Sequence, residues 1–287
     1  MQKIEQGIYY ENTYPGVTIG AIILPLGTIL IDAPLRAEDA RSWLTILYNL
    51  GAKPNRLLVN LDAHPDRTLG ARSMECTIVA HQKTAQVFRN RPSVFKGQNA
   101  ESGSEWETYD DVVGTRWAIP DITFTTSLSL HWGESDVVIE QHAGPAPGSS
   151  WVVIPNLRIA FIGDAVMSSQ PPFLTNADIP AWIETLDLLL DSYGNYTLVS
   201  GRGGAVKVED VSAQQRHLKN ILKGLEKLAK KNAAPEEIEN MIPGLLADLN
   251  TPPEVKEQFV QRYRHGLYQY YTRRYRPTEA TFDRENS

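Results

Sequence analysis

The feature that most limits what this chain can fold into is a change of pattern near residue 207. Before it, short β-branched and aliphatic runs alternate with segments of helical period; after it, only helical spacing remains. Residues 17–24 and 28–31 read as paired strands broken by Pro25, Leu26 and Gly27. Trp43, Leu44, Leu47 and Leu50 then mark a helix over 37–50 with Gly51 as its C-cap. A strand at 57–59, a helix starting near Asp66, a strand at 77–80 and a helix at 81–90 follow. Residues 91–118 lose the pattern and read as a surface insertion. Strands are expected at 122–130, 136–141, 151–154 and 158–162, then a helix carrying Ile183, Leu186, Leu189, Leu190 and Tyr193, and a final strand at 196–199. Beyond Lys207, Val211, Leu218, Ile221, Leu222, Leu225 and Leu228 lie on one helical face, and Pro235, Pro243, Pro252 and Pro253 punctuate further helices to about Tyr275. The order predicts an α/β sandwich body with a helical C-terminal extension.

Composition narrows the function classes. A chain of 287 residues with 42% hydrophobic content can bury one large core or two small ones. A net charge of −6 gives no global attraction to nucleic acid or to an anionic membrane. The single cysteine, Cys76, allows no internal disulfide and fits a reducing compartment; it reads as a small buried hydrophobe. The first residues have no apolar signal-peptide core, and no stretch approaches the ~18 apolar residues of a membrane span. The expectation is a cytoplasmic, soluble protein.

Three motifs carry more. GTILIDAP, an amphipathic helix, a short strand and NLDAHPDRTLGA occupy residues 27–71 in that order. GPAPGSSWVVIPNLRIAFIGDAV follows at 144–166 and LVSGRGG at 198–204. Together they resemble the metallo-β-lactamase-fold hydrolases over residues 8–205. The resemblance implies a four-layer αββα sandwich over residues 1–206, with 91–118 as an insertion and 207–287 as the helical extension. In that family a His-x-His-x-Asp-His loop binds two metals; the four positions here read Asp62, His64, Asp66 and Arg67. The bridging Asp corresponds to Asp164. The next family histidine is missing: either Pro145 replaces it, or a His-Thr pair is deleted between Ala146 and Pro147. Its last histidine position holds Arg202. His142, just upstream of the gap, is a further candidate for the cleft.

Chemistry sets what such a site can do. Zinc sites of this kind need N, O or S ligands, and an arginine has no lone pair to donate. No metal is therefore expected; residual candidates are Asp62, His64, Asp66 and Asp164, which as an alternative would take one zinc, iron or manganese ion. Three aspartates without metal would repel one another, and two guanidinium groups can supply the missing charge. His64, Asp66, Arg67 and Arg202 are thus the residues expected to carry any chemistry, in a cleft with Asp62, His142 and Asp164. Two functional readings stand: a metal-free protein that binds a small molecule or partner, or a hydrolase of an ester, lactone or thioester that uses one metal or none, with His64 as general base. Each residue also has an ordinary role taken alone: Asp66 as N-cap, Asp164 as turn former, Arg202 as loop residue, the glycines at 201, 203 and 204 as a weak anion nest. Trp106, Trp117, Pro171, Pro172, Phe173 and the His131-Trp132 pair are candidates for walls. The Arg/Tyr-rich stretch at 261–276 suits a homodimer contact better than nucleic acid.

Overall fold

The computed structural model describes residues 1–97, 102–249 and 251–276; parts of the expected insertion (98–101) and extension (250 and 277–287) lie outside these residues. The first sheet contains β1 (Gln2–Glu5), β2 (Ile8–Glu11), β3 (Ile19–Ile23), β4 (Thr28–Ile31), β5 (Arg56–Asn60), β6 (Thr77–His81) and β7 (Ile122–Phe124), side by side in chain order. Its first four strands are antiparallel and the rest parallel. The second sheet contains β8 (Ser127–Leu130), β9 (Val137–Gln141), β10 (Ser150–Ile154), β11 (Ile159–Gly163), β12 (Thr197–Ser200) and β13 (Gly204–Val206), in the order β13-β12-β11-β10-β9-β8.

The two-residue period of a strand explains the layering. On β4, Ile29 and Ile31 face the core between the sheets, where they meet Val152, Ile154 and Phe161. Leu30, between them, faces outward onto Trp43 and Leu47 of α1 (Ala37–Asn49). On β10, Val152 and Ile154 point inward, while Trp151 and Val153 pack on Trp182, Leu186 and Leu189 of α4 (Ile179–Ser192). Two sheets with helices on each outer face are the αββα sandwich. Two short helices complete the first face: α2 (Pro65–Thr68) and α3 (Gln82–Asn90). Cys76 sits at the edge of the α1 core, and burial pushes its thiol up to about 11, which keeps it unreactive at neutral pH.

The C-terminal helices α5 (Val208–Lys230), α6 (Ile242–Ala247) and α7 (Lys256–Tyr275) share their core with α4: Leu218, Ile221, Leu225, Tyr263 and Leu267 join the cluster that holds Trp182. The tyrosines expected at a dimer contact are largely spent here, since Tyr263, Tyr270 and Tyr271 are fully buried. Among the described residues no helix is long and apolar enough to cross a membrane.

The sequence reading needs three corrections. The strand expected at 122–130 is two strands in different sheets, parted at Thr125 and Thr126, where the chain crosses the sandwich. Residues 197–200 are not the last strand, because β13 pairs outside them. The β1–β2 hairpin was not foreseen: β1 is a four-residue, largely exposed edge strand, and four-residue β2 beside it is too short to show a period.

Candidate functional site

The site is built where the ends of β4, β5, β11 and β12 meet. Asp32 follows β4 in a left-handed conformation (φ 55°) and is completely buried, its Oδ1 accepting a hydrogen bond from the Leu61 amide at 2.9 Å. After β5 the chain turns through Asp62, whose Oδ1 accepts from the His64 amide at 2.7 Å. His64 is the N-cap of α2: its Nδ1 accepts from the Asp66 amide, and Pro65 opens the helix where no donor is needed. The cap expected of Asp66 is thus supplied by His64. Asp66 and Arg67 project into the protein from this one turn, both with no exposed surface.

The Arg67 guanidinium donates to Asp164 Oδ1, with Asp62 Oδ2 at 3.3 Å and Asp32 Oδ2 at 3.4 Å from its Nη1. Arg202, in the tight connection from β12 to β13, donates to Asp164 Oδ2 at 3.2 Å, to Asp66 Oδ2 at 2.9 Å and to the Gly16 carbonyl at 2.6 Å. Its Nη2 lies 3.1 Å from His64 Nδ1. Asp164 therefore bridges two buried guanidiniums. A Cβ at Gly201 would lie 2.9 Å from both terminal nitrogens of Arg67, so this position admits the guanidinium only because it is glycine. The glycine-rich turn is no anion nest: the amides of Gly201, Arg202 and Gly204 donate to Gly163 O, Ser200 Oγ and Thr18 Oγ1.

The charges sort themselves. Burial raises the carboxyl of Asp164, but Arg202 and Arg67 outweigh it and hold the group well below the usual range. Asp66 is likewise lowered against burial, by Arg202 and the Trp106 amide. Burial pushes Asp32 up to about 7 despite Arg67, and Asp62 is raised for the same reason. The two carboxyls held low, Asp164 and Asp66, face the arginines, while burial disfavours the charged forms of Asp32 and Asp62. His64 is held neutral, with burial outweighing Asp66 and lowering it to about 3.

A metal does not fit this arrangement. An arginine nitrogen only donates, so His64 Nδ1 is the acceptor for both Arg202 and the Asp66 amide, and the ring proton sits on Nε2. Neither nitrogen then offers a free lone pair. Asp66 Oδ1 accepts from the Trp106 amide at 2.9 Å, and its Oδ2 is held by Arg202 and the Glu105 amide. Both oxygens of Asp164 face guanidiniums. A divalent cation here would sit against two fixed positive charges. Among the described residues no group of three His, Cys, Asp or Glu side chains is placed to hold a metal.

Beside the cluster lies a cavity of about 470 Å³ with Asp62, His64 and Asp164 at its floor. Trp106, Trp117 and Phe173 wall it, and the Pro145–Pro147 turn lines one side with apolar groups. Pro171 and Pro172 are buried and do not line it. His142 does not join the cleft: it stacks on Trp151 at 3.6 Å between ring centroids and bonds Glu140 at 3.1 Å, because it extends from the end of β9 toward α4. His131 is exposed and paired with Asp136.

Three features of the site escaped the sequence reading: the place of Asp32, the amides of Glu105 and Trp106, and the reach of Arg262. Asp32 was legible only as a charge ending an apolar strand. Glu105 and Trp106 act through backbone amides, which no side-chain motif can signal. Arg262 comes from α7: it donates to the Gly103 carbonyl at 3.0 and 2.8 Å and to Gln170 Oε1 at 3.1 Å. Its guanidinium centre lies 4.2 Å from the Phe173 ring, and Arg202 lies 4.5 Å from the same ring. Arg262 thus ties α7, the insertion and the Phe173 loop over the cluster. Arg262→Ala is expected to cost about 2–4 kcal/mol through lost packing and unpaired carbonyls, and to speed hydrogen exchange at the Glu105 and Trp106 amides above that at β5.

No family model matches the sequence, and no curated protein matches it. Solved structures do. A metallo-β-lactamase from Pontibacter korlensis superposes with a TM-score of 0.57 at 20% identity, covering 76% of this chain and 98% of that one. The DIM-1 metallo-β-lactamase gives 0.59 at 16% identity, covering 76% and 95%. The stereoselective inverting sec-alkylsulfatase Pisa1 from Pseudomonas sp. gives 0.64 at 15% identity over 95% of this chain, which spans about half (49%) of that protein. The last match must take in most of the C-terminal helices. The chain has the metallo-β-lactamase fold.

Proposed function

We propose that this protein is a metal-free relative on the metallo-β-lactamase fold, in which Arg67 and Arg202 stand where metal ions would, and that it binds a small molecule in the adjoining cavity. The observation that carries this reading is the bridge from Asp164 to both arginines. A metal pair neutralises a carboxylate-lined cleft; two guanidiniums give the same compensation here with no metal, and they occupy the acceptors a metal would use. Hydrolysis with His64 as general base is disfavoured by the same geometry, since Nδ1 already accepts two hydrogen bonds and Nε2 carries the proton.

Metal content of protein purified without chelator tests the reading. Zinc, iron and manganese together are expected far below one equivalent, and the melting temperature is expected to be unchanged by EDTA. About one tightly held equivalent, lost to EDTA with a fall in melting temperature, would contradict it and favour a mononuclear hydrolase.

A further inference from the structure

Four arginines are largely or wholly buried around the site, and three of them are tied to acceptors of this chain and do not line the cavity. Arg67, Arg202 and Arg262 all donate to acceptors of this chain. The fourth, Arg91, follows α3 and lines the cavity. Its guanidinium centre rests 4.6 Å from the Trp117 ring and 5.4 Å from the Phe88 ring. These faces hold the charge in place but accept no hydrogen bond in the plane of the guanidinium. Nη1 is buried without a hydrogen-bond partner, and among the described residues no carboxylate forms an ion pair with this side chain. Asp62 acts on it only at longer range. Burial lowers Arg91 to about 10, so it remains charged at neutral pH. A charged donor left like this is costly unless something brings an acceptor to it.

The rest of the cavity says what else the ligand carries. Phe95, Trp106, Trp117 and Phe173 present aromatic surface to it. Its volume of about 470 Å³ falls within the roughly 300–1,000 Å³ of small-molecule sites. The floor repels a single negative charge less than free aspartates would, because Asp164 is paired with two arginines and burial disfavours the charged form of Asp62. A planar monoanion matches the fork of the Arg91 guanidinium.

We propose that the cavity binds a small organic monocarboxylate, its carboxylate held by Arg91 and its aryl or alkyl body packed against Phe95, Trp106 and Trp117. This specifies the ligand class of the site proposed above and rests on that reading. Lys96 at the cavity adds positive charge at its edge.

Calorimetric titration with 4-phenylbutyrate and decanoate, each against its primary amide, tests the assignment. Wild type is expected to bind the acids at least about tenfold more tightly than the amides, a difference of about 1.4 kcal/mol. Arg91→Leu is expected to erase that preference while still binding the amides, which also shows that the cavity is folded. Arg91→Lys, which keeps the charge but not the fork, is expected to retain part of it. Equal binding of acids and amides by wild type, or an unchanged preference in Arg91→Leu, overturns the carboxylate assignment and leaves ligand binding standing. No binding of any of the four compounds overturns both.

Discussion

Asp164→Ala is expected to destabilise the protein by about 3–5 kcal/mol, the range found when one partner of a buried ion pair is removed. The substitution strips Arg67 of its closest acceptor and Arg202 of one of its two carboxylates. Both guanidiniums stay buried, and neither can lose its proton to escape the cost. Asp32 and Asp62 would be drawn into ionising to compensate, which limits the loss but does not cancel it. A double-mutant cycle separates this from simple cavity formation. Adding Arg67→Met to Asp164→Leu removes the pair and replaces it with apolar volume, so part of the loss should return, with a coupling above about 1 kcal/mol. Urea denaturation of Asp164→Ala and of the four proteins of the cycle reads both quantities. A loss below 1 kcal/mol for Asp164→Ala, with additive effects in the cycle, would show that the cluster does not depend on this bridge.

The second large effect depends on pH. Asp32 is raised in the folded state from an ordinary value of 3.8 to about 7, because complete burial outweighs the attraction of Arg67. Between these values the folded protein keeps a proton that the unfolded chain has released. Stability from this group therefore falls as pH rises from about 4 to about 7 and is flat beyond. Asp32→Asn mimics the protonated form and removes the slope. The variant should match wild type near pH 4, gain steadily on it, and exceed it by about 2–4 kcal/mol at pH 8. His64 acts in the opposite direction. Its value falls from 6.5 to about 3 on folding, so its neutral form favours the folded state increasingly up to pH 6.5. It does so in both proteins, and the difference between them isolates Asp32. Denaturation midpoints at pH 4, 5, 6, 7 and 8 give the curve. A variant less stable than wild type at pH 8 would mean that Asp32 ionises far below pH 7 and that its carboxylate holds Arg67 with net gain.

Much of this was readable from the chain. The alternation of Ile29, Leu30 and Ile31 between two cores is the pattern that makes a strand legible, and it fixed the first sheet from β3 to β6. The motifs around His64, Asp164 and Arg202 do meet at one place, because each sits at the C-terminal end of a strand and those ends lie together. What the sequence did not reveal follows from physics that leaves no side-chain pattern. Asp66 is held by two backbone amides from the insertion. Arg262, more than 150 residues from Gly103 in the chain, read as part of an Arg/Tyr-rich contact stretch, but α7 shares the core of α4 and turns it inward. His142 was placed near the cleft by sequence proximity alone, but the strand carried it to Trp151. Thr125 and Thr126 interrupt an apolar run without any glycine or proline, so the crossover between sheets was hidden.

The claim that two guanidiniums occupy the place of metal is tested most directly by soaking crystals in excess zinc and recording data above the zinc absorption edge. The expected map has no anomalous peak between His64 and Asp164, with Arg67 and Arg202 still paired to Asp164. A well-occupied peak there, with either arginine swung out and His64 turned to ligate, would contradict it.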